Sequence, residues 1–270
     1  MSRPGFTTFD AVLWTLSLTA ALVAAITLLQ GISPRFAHVA VGGAVEVVLY
    51  AGASYLVLER PSRRPLAALG LTRAPLGLLG IGAALGVSLH GPTEVIQSLM
   101  EALLPTPAGV LEERLARLEG AGLVDRAVLL AVVCVLSPGA EELFFRGALH
   151  ERLDPATEPS SGLRRGYGFI HAGWTTAVLF TLSHFEPRIW PSLLIVGLSL
   201  ALLRHRSASI LPGYLLHAAF NATTLFSVWF GSEPHGSSPP AMIFALVSSL
   251  ATAALLFVLV RRKPQELPGA

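Results

Sequence analysis

Residues 138–147 read PGAEELFFRG, and they follow a ten-residue run, 127–136, that reads AVLLAVVCVL. Beyond them Leu143, Phe144, Phe145, Ala148 and Leu149 carry the apolar character almost to Glu151. Glu141, Glu142 and Arg146 are therefore three charges inside a stretch that otherwise has the character of membrane. An ionisable side chain at that depth costs at least about 2.5 kcal/mol, so it faces a partner or a wet cavity and marks function.

The rest of the chain has the same character. Of 270 residues, 53% are hydrophobic and 13% charged, against about 25% charged in soluble domains. The mean hydropathy is +0.63. Runs of about 20 apolar residues, enough to cross a bilayer, fall at 11–32, 37–58, 76–99, 127–150, 167–186, 189–204, 208–230 and 240–260. The fold class expected is all-α: a polytopic membrane helix bundle of about eight transmembrane helices. They follow one another closely, so residues 1–270 read as a single integral membrane domain. The longest gap, 105–126, reads as a loop with a short amphipathic helix.

The first run is too long for a signal-peptide core and reads as a retained helix. Cys134, the sole cysteine, lies inside a span and reads as a buried small hydrophobe. With both termini cytoplasmic, thirteen of the nineteen basic residues fall on the inside, five outside, and Arg146 within the membrane. That asymmetry favours this orientation. Eighteen arginines against one lysine point to a bacterial cytoplasmic membrane. The net charge of +2 is scattered over span ends, which argues against a nucleic-acid partner. No glycine-rich phosphate loop follows a strand, so no nucleotide cofactor is expected.

Glu142 and Arg146 are four apart, Glu first, the favourable order for an ion pair on one helical face. Glu141 is turned about 100° away and needs another environment. Pro138 removes a backbone donor and is placed to kink the helix beside it. Two later spans also carry polar groups: VLFTLSHFEP, 178–187, with Phe180 and His184 four apart, and LLHAAFNATT, 215–224, with His217 and Asn221 four apart. One intramembrane histidine is often only a helix-to-helix hydrogen bond; polar groups from three spans together indicate a site. A carboxylate with a neutral histidine can hold and deprotonate a water, while a second histidine and an amide can stabilise the oxyanion of a tetrahedral intermediate. That inventory suits peptide-bond hydrolysis. Ser183 lacks a G-x-S-x-G setting.

The ordered set Glu141-Glu142-x-x-x-Arg146, Phe180-x-x-x-His184 and His217-x-x-x-Asn221 resembles the three motifs of the CAAX-protease and bacteriocin-processing (Abi-type) family, which includes the type II CAAX prenyl endopeptidases. The resemblance covers about 127–225, the catalytic core, and extends to LRHRSASILPGYLLHAAFN, 203–221. It implies an intramembrane endopeptidase acting on a membrane-anchored peptide or protein, prenylated or bearing a leader peptide. Carried over, Glu141 is the general base, His184 positions the water, and His217 and Asn221 form the oxyanion hole. Glu142, Arg146 and Phe180 support them. The resemblance favours a metal-free, glutamate-dependent mechanism; if a metal is used, Glu141, His184 and His217 are the zinc set, though no H-E-x-x-H is present. One point is at odds with the site: by these spans His184 lies near the outer end of its helix, whereas Glu141 and His217 are nearer the middle.

Two other classes use the same residues. A membrane scaffold or immunity-type protein would bind a partner without turnover. A transporter would use Glu141, Arg146, His184 and His217 as an ion path, but no inverted repeat accompanies them. Glu46, His90 and Glu94 are also at membrane depth and read as cavity lining or structural pairing, with Gly91-Pro92 marking a kink. Gly77, Gly80, Gly82 and Gly86 offer small faces for helix packing. His150 and His171 read as interfacial, and Trp174 as the tryptophan nearest a substrate.

Overall fold

A computed structural model describes residues 6–32, 35–58, 65–107, 109–110, 118, 120–154, 169–230 and 239–263. Among these the chain is helical, with no strand. The elements are α1 (Thr8–Gln30), α2 (Arg35–Val57), the single turn α3 (Pro65–Ala68), α4 (Leu76–Ser88), α5 (His90–Leu103) and the long α6 (Leu123–Leu153). They continue with α7 (Phe169–Gly173 as π turns, then Trp174–Leu182), α8 (Trp190–Ser207), α9 (Leu211–Trp229) and α10 (Pro239–Arg261).

Among the described residues, five stretches are long and apolar enough to cross a membrane: α1, α2, α4 with α5, α6 and α10. Eight spans were expected. The runs at 189–204 and 208–230 do form helices, α8 and α9, but polar groups dilute their apolar character: Arg204, His205 and Arg206 in the last turn of α8, and His217 and Asn221 within α9. The run at 167–186 gives only a shorter apolar helix, Ile170–Leu182. Its 13 residues rise about 20 Å, short of the roughly 30 Å hydrocarbon core. The amphipathic helix expected within 105–126 lies largely outside the described residues, as do Arg3, Arg60, Arg63, Arg64, Arg114, Arg117, Arg164 and Arg165 of the orientation count.

Helix ends follow local chemistry. At α1 the Thr7 hydroxyl accepts from the Asp10 N–H, and the Asp10 carboxylate accepts from the Thr7 N–H at 2.7 Å, a reciprocal cap. α8 and α9 each carry Pro in the first turn, where its missing donor costs nothing. The third run breaks at Leu89 into α4 and α5. There the Gly91 N–H donates to Ser248 Oγ on α10 at 3.2 Å, and Ser248 Oγ donates to the Ser88 carbonyl at 2.6 Å.

α1 and α10 are the least buried spans, and they point large apolar side chains outward, among them Leu16, Leu28, Leu246 and Phe257. α6, α8 and α9 supply the interior: Phe144, Phe145, Leu149, Leu200, Leu203 and Leu216 are fully buried. Close backbone approach sets the positions of the central helices. A Cβ on Gly82 or Gly86 of α4 would run into the Pro212 or Leu216 carbonyl of α9. A Cβ on Gly43 of α2 would run into the Val132 side chain of α6. Gly80, by contrast, has open space around it.

Candidate active site

α6 is wound in an unusual way. Leu130–Leu136 and Leu143–Leu149 are π-helical, on either side of an α-helical segment, Ser137–Glu142. π turns inside α-helices are rare and collect at functional sites. Here the cause is legible. The Ser137 N–H donates to the Val132 carbonyl, five residues back, and in that register the donor to Val133 would be residue 138, which is proline. The Val133 carbonyl is taken instead by a side chain: Asn221 Nδ2 of α9 donates to it at 2.8 Å. The amide carries two N–H groups, so one remains for a ligand.

Glu142 and Arg146 lie one turn apart and are both fully buried. Arg146 Nη1 donates to Glu142 Oε1 at 3.0 Å, and Nη2 donates to the Gly197 carbonyl of α8 at 3.2 Å. The guanidinium also stands 4.5 Å over the Phe180 ring. Arg204 of α8 donates to the Arg146 carbonyl at 3.0 Å and pairs with Glu151 at 3.3 Å. This buried ionic frame joins α6 to α8.

Glu141 faces away from that frame into a cavity of about 340 Å³. Glu46, Glu141, Phe180, His184, His217 and Asn221 line it, with Val133, Leu193, Val196 and Phe220 as apolar wall. His217 lies between the two glutamates: Nε2 is 3.7 Å from Glu141 Oε2, and Nδ1 is 3.5 Å from Glu142 Oε1. Glu141 Oε2 and His217 Nδ1 are buried without a hydrogen-bond partner among the described residues. Buried polar atoms are normally satisfied; Glu141 Oε2 is thus placed for a ligand, whereas His217 Nδ1 faces the buried Glu142 carboxylate.

His184 is not within a helix. α7 ends at Leu182, and His184 sits in the following turn, where Phe185 has a φ of 48°. From that turn it lines the same cavity as Glu141 and His217. His184 Nδ1 pairs with the Phe180 carbonyl at 2.8 Å. A carbonyl only accepts, so Nδ1 bears the proton and Nε2 of the neutral ring is the acceptor. Phe180 is fully buried at the centre, its ring edge-on to His184 at 4.9 Å and to His217 at 5.6 Å.

The structure thus brings Glu141, Phe180, His184, His217 and Asn221 to one cavity, with Glu142 and Arg146 directly behind it. No group of three His, Cys, Asp or Glu side chains among the described residues is gathered closely enough to hold a metal ion. His90 supports the wall from outside: its ring stacks on Phe220 at 4.3 Å and its Nε2 donates to the Phe220 carbonyl at 3.0 Å. Trp174 is half exposed and does not line the cavity, and His150 is buried within the protein. Sequence reasoning left Glu46 undecided and missed Tyr50, which lies one turn further along α2, buried near Glu141. The four-residue spacing of two polar groups in an apolar span was the available signal.

No curated protein and no solved structure matches the chain. Residues 123–223 match the family model described as type II CAAX prenyl endopeptidase Rce1-like. That segment runs from the start of α6 to just past Asn221. Together with the membrane-length helices, the match supports a CAAX-protease type of family for this integral membrane protein, carried by residues 123–223.

Proposed function

We propose that the chain is an intramembrane endopeptidase of the CAAX type, hydrolysing a peptide bond of a membrane-associated substrate. One observation carries this reading: a carboxylate, two imidazoles and a side-chain amide line a single cavity in which Glu141 Oε2 has no hydrogen-bond partner among the described residues. Glu141 takes a proton from water, and the hydroxide adds to the scissile carbonyl. His184 Nε2, the acceptor of its ring, holds the same water. The oxyanion receives hydrogen bonds from His217 and from the second N–H of Asn221. Collapse breaks the C–N bond, and the proton goes to the leaving amine. No metal is required in this reading. Substrates with prenylated C-termini or leader peptides are the classes the motif resemblance names.

The test is cleavage of a pooled library of membrane-anchored and prenylated peptides by the purified protein, wild type against Glu141→Gln, each with and without a chelator. Cleavage lost in the variant and unaffected by chelation is the expected result. Cleavage abolished by the chelator and restored by zinc overturns the metal-free mechanism. A wild type inactive on every substrate, with a cellular phenotype that survives Glu141→Gln, replaces the protease with a scaffold.

A further inference from the structure

α6 separates two cavities. Val133, Ser137 and Glu141 face the candidate active site, and another side of the same segment faces a second cavity of about 310 Å³. This one lies between α2 and α9, with Val47 and Ala51 on one wall, Leu211 and Tyr214 on the other, and Leu136 and Gly139 as its floor. Among the described residues that line it, none is charged. A dry apolar cavity of about 150 Å³ already admits benzene, so this one has room for a longer hydrocarbon.

We propose that this cavity binds one acyl chain of a bilayer phospholipid. Its mouth is continuous with the outer apolar surface of the spans: Val135 and Leu136 are half exposed, and Val48, beside Val47, is more exposed still. Its depth suits hydrocarbon. Val47 and Ala51 fall near the middle of the span Ala40–Val57, and Val135 and Leu136 near the middle of Leu123–Leu153, where the bilayer supplies neither water nor headgroups. Its course suits a chain from one leaflet, because it reaches from mid-span to Leu71, ahead of α4, and to Ile210, the residue before α9. Beyond Leu71 the protein continues to Arg73, which is exposed, a cation suited to a headgroup phosphate. A peptide segment is a poor occupant, since these walls would leave its N–H and C=O groups unsatisfied.

A chain in this position packs against the back of the catalytic segment. Gly139 and Ala140 line the cavity and directly precede Glu141. A Cβ on Gly139 would meet only the Tyr214 ring, at 3.7 Å, an ordinary contact, so the floor is open to a guest. Left empty, the lining lacks partner atoms on one side. An acyl chain restores those contacts and supports Ser137–Glu142 between the two π segments of α6. Lipid binding here does not require turnover, so it stands beside the endopeptidase reading without resting on it.

The experiment reconstitutes the full-length protein in phosphatidylcholine vesicles doped with a phosphatidylcholine that carries a diazirine on one acyl chain. After illumination, mass spectrometry maps the labelled residues in wild type, Ala51→Trp and Leu211→Trp, two variants that fill the cavity from opposite walls. Wild type is expected to be labelled at Leu143 and Tyr214. That labelling should be lost in both variants, while labelling of Leu246 and Phe257, outward-facing on α10, stays equal in all three and shows that the variants are folded in the bilayer. Equal labelling of Leu143 and Tyr214 in all three proteins overturns the proposal, as does their absence from the wild-type map when α10 is labelled. A prenylated peptide with the diazirine on its own chain is run in parallel; labelling of these residues from the peptide, with none from the phospholipid, also overturns it and gives the cavity to a substrate. An independent readout is the Tm of delipidated protein in detergent. Added phosphatidylcholine should raise the wild-type Tm more than that of Ala51→Trp, because a ligand of the folded state stabilises it; an equal rise in both overturns the proposal.

Discussion

Asn221 Nδ2 donates to the main-chain carbonyl of Val133 at 2.8 Å, linking α9 to α6 at the point where Pro138 leaves that carbonyl without a backbone donor. The proline therefore does more than bend the helix. It turns a backbone acceptor toward the cavity, and the amide that satisfies it is held in place for a second bond.

Asn221→Ala is expected to act twice. It leaves the Val133 carbonyl unsatisfied, which costs about 1–3 kcal/mol, and in the proposed mechanism it removes an oxyanion donor, which lowers kcat about 100- to 1,000-fold. Pro138→Ala restores a backbone N–H near that carbonyl. Thermal melts of the two single variants and the double variant should then show coupling, with the double less destabilised than the sum. Strict additivity would mean that Pro138 and Asn221 act independently.

The Glu142 and Arg146 pair is fully buried. Removing one partner of such a pair leaves an uncompensated charge and destabilises by about 3–5 kcal/mol. Arg146→Met should accordingly lower the yield of folded protein, and its Tm should fall. Glu142→Gln with Arg146→Met removes both charges and should regain most of that stability, as replaced buried pairs often do. It should remain slow in turnover, because His217 loses the Glu142 carboxylate that stands 3.5 Å from its Nδ1. Calorimetry and cleavage rates on the three proteins check both statements.

How much of this was legible in the sequence depends on the kind of feature. The all-α membrane architecture followed from long apolar runs, and the ion pair from the spacing of Glu142 and Arg146. Glu141, His184, His217 and Asn221 stood out because polar groups are rare at membrane depth. What spacing misjudged was His184, read as one face of a helix with Phe180. Phe185 in the left-handed region and Pro187 after it end α7 early, and the turn carries the imidazole. The site contribution of α2 depended on the contact of Gly43 with Val132, a tertiary fact that no local pattern encodes. The first π segment of α6 ends at Pro138, which leaves the Val133 carbonyl without a backbone donor, and only the Asn221 contact shows how that carbonyl is satisfied.

Gly86 separates packing from propensity. A Cβ there would meet the Leu216 carbonyl, and it would lie 2.7 Å from Ala219 Cβ and 3.0 Å from the Phe220 N–H. Gly86→Val is expected to push α9 outward and carry His217 and Asn221 with it. A displacement near 1 Å in a catalytic group can cost about 100-fold in rate. Gly80→Ala, in the same helix with nothing within 4 Å, should leave activity unchanged. Cleavage rates of both variants decide whether the α4 and α9 contact sets the site.

The turn that holds His184 is tied down from outside. Arg188 Nε donates to Glu186 Oε1 at 2.7 Å, and Nη1 donates to Thr106 Oγ1 at 2.8 Å. Thr106 Oγ1 in turn donates to Glu101 Oε2 at 2.7 Å. The clasp joins the end of α5 to the turn between α7 and α8. Its hydrogen bond to Glu186 holds the Arg188 guanidinium above its ordinary value, so the residue stays charged across any working pH. Arg188→Gln and Thr106→Ala free a surface turn, and the Tm should change little. The turn itself gains freedom, and His184 spends less time where the proposed mechanism places the attacking water. We expect kcat to fall about tenfold with KM nearly constant, a split that marks an interaction used in the transition state. Because both ends of the clasp are partly exposed, raising the salt concentration should lower wild-type kcat toward that of Arg188→Gln. Equal salt sensitivity in the two proteins would show that the clasp does not hold the turn.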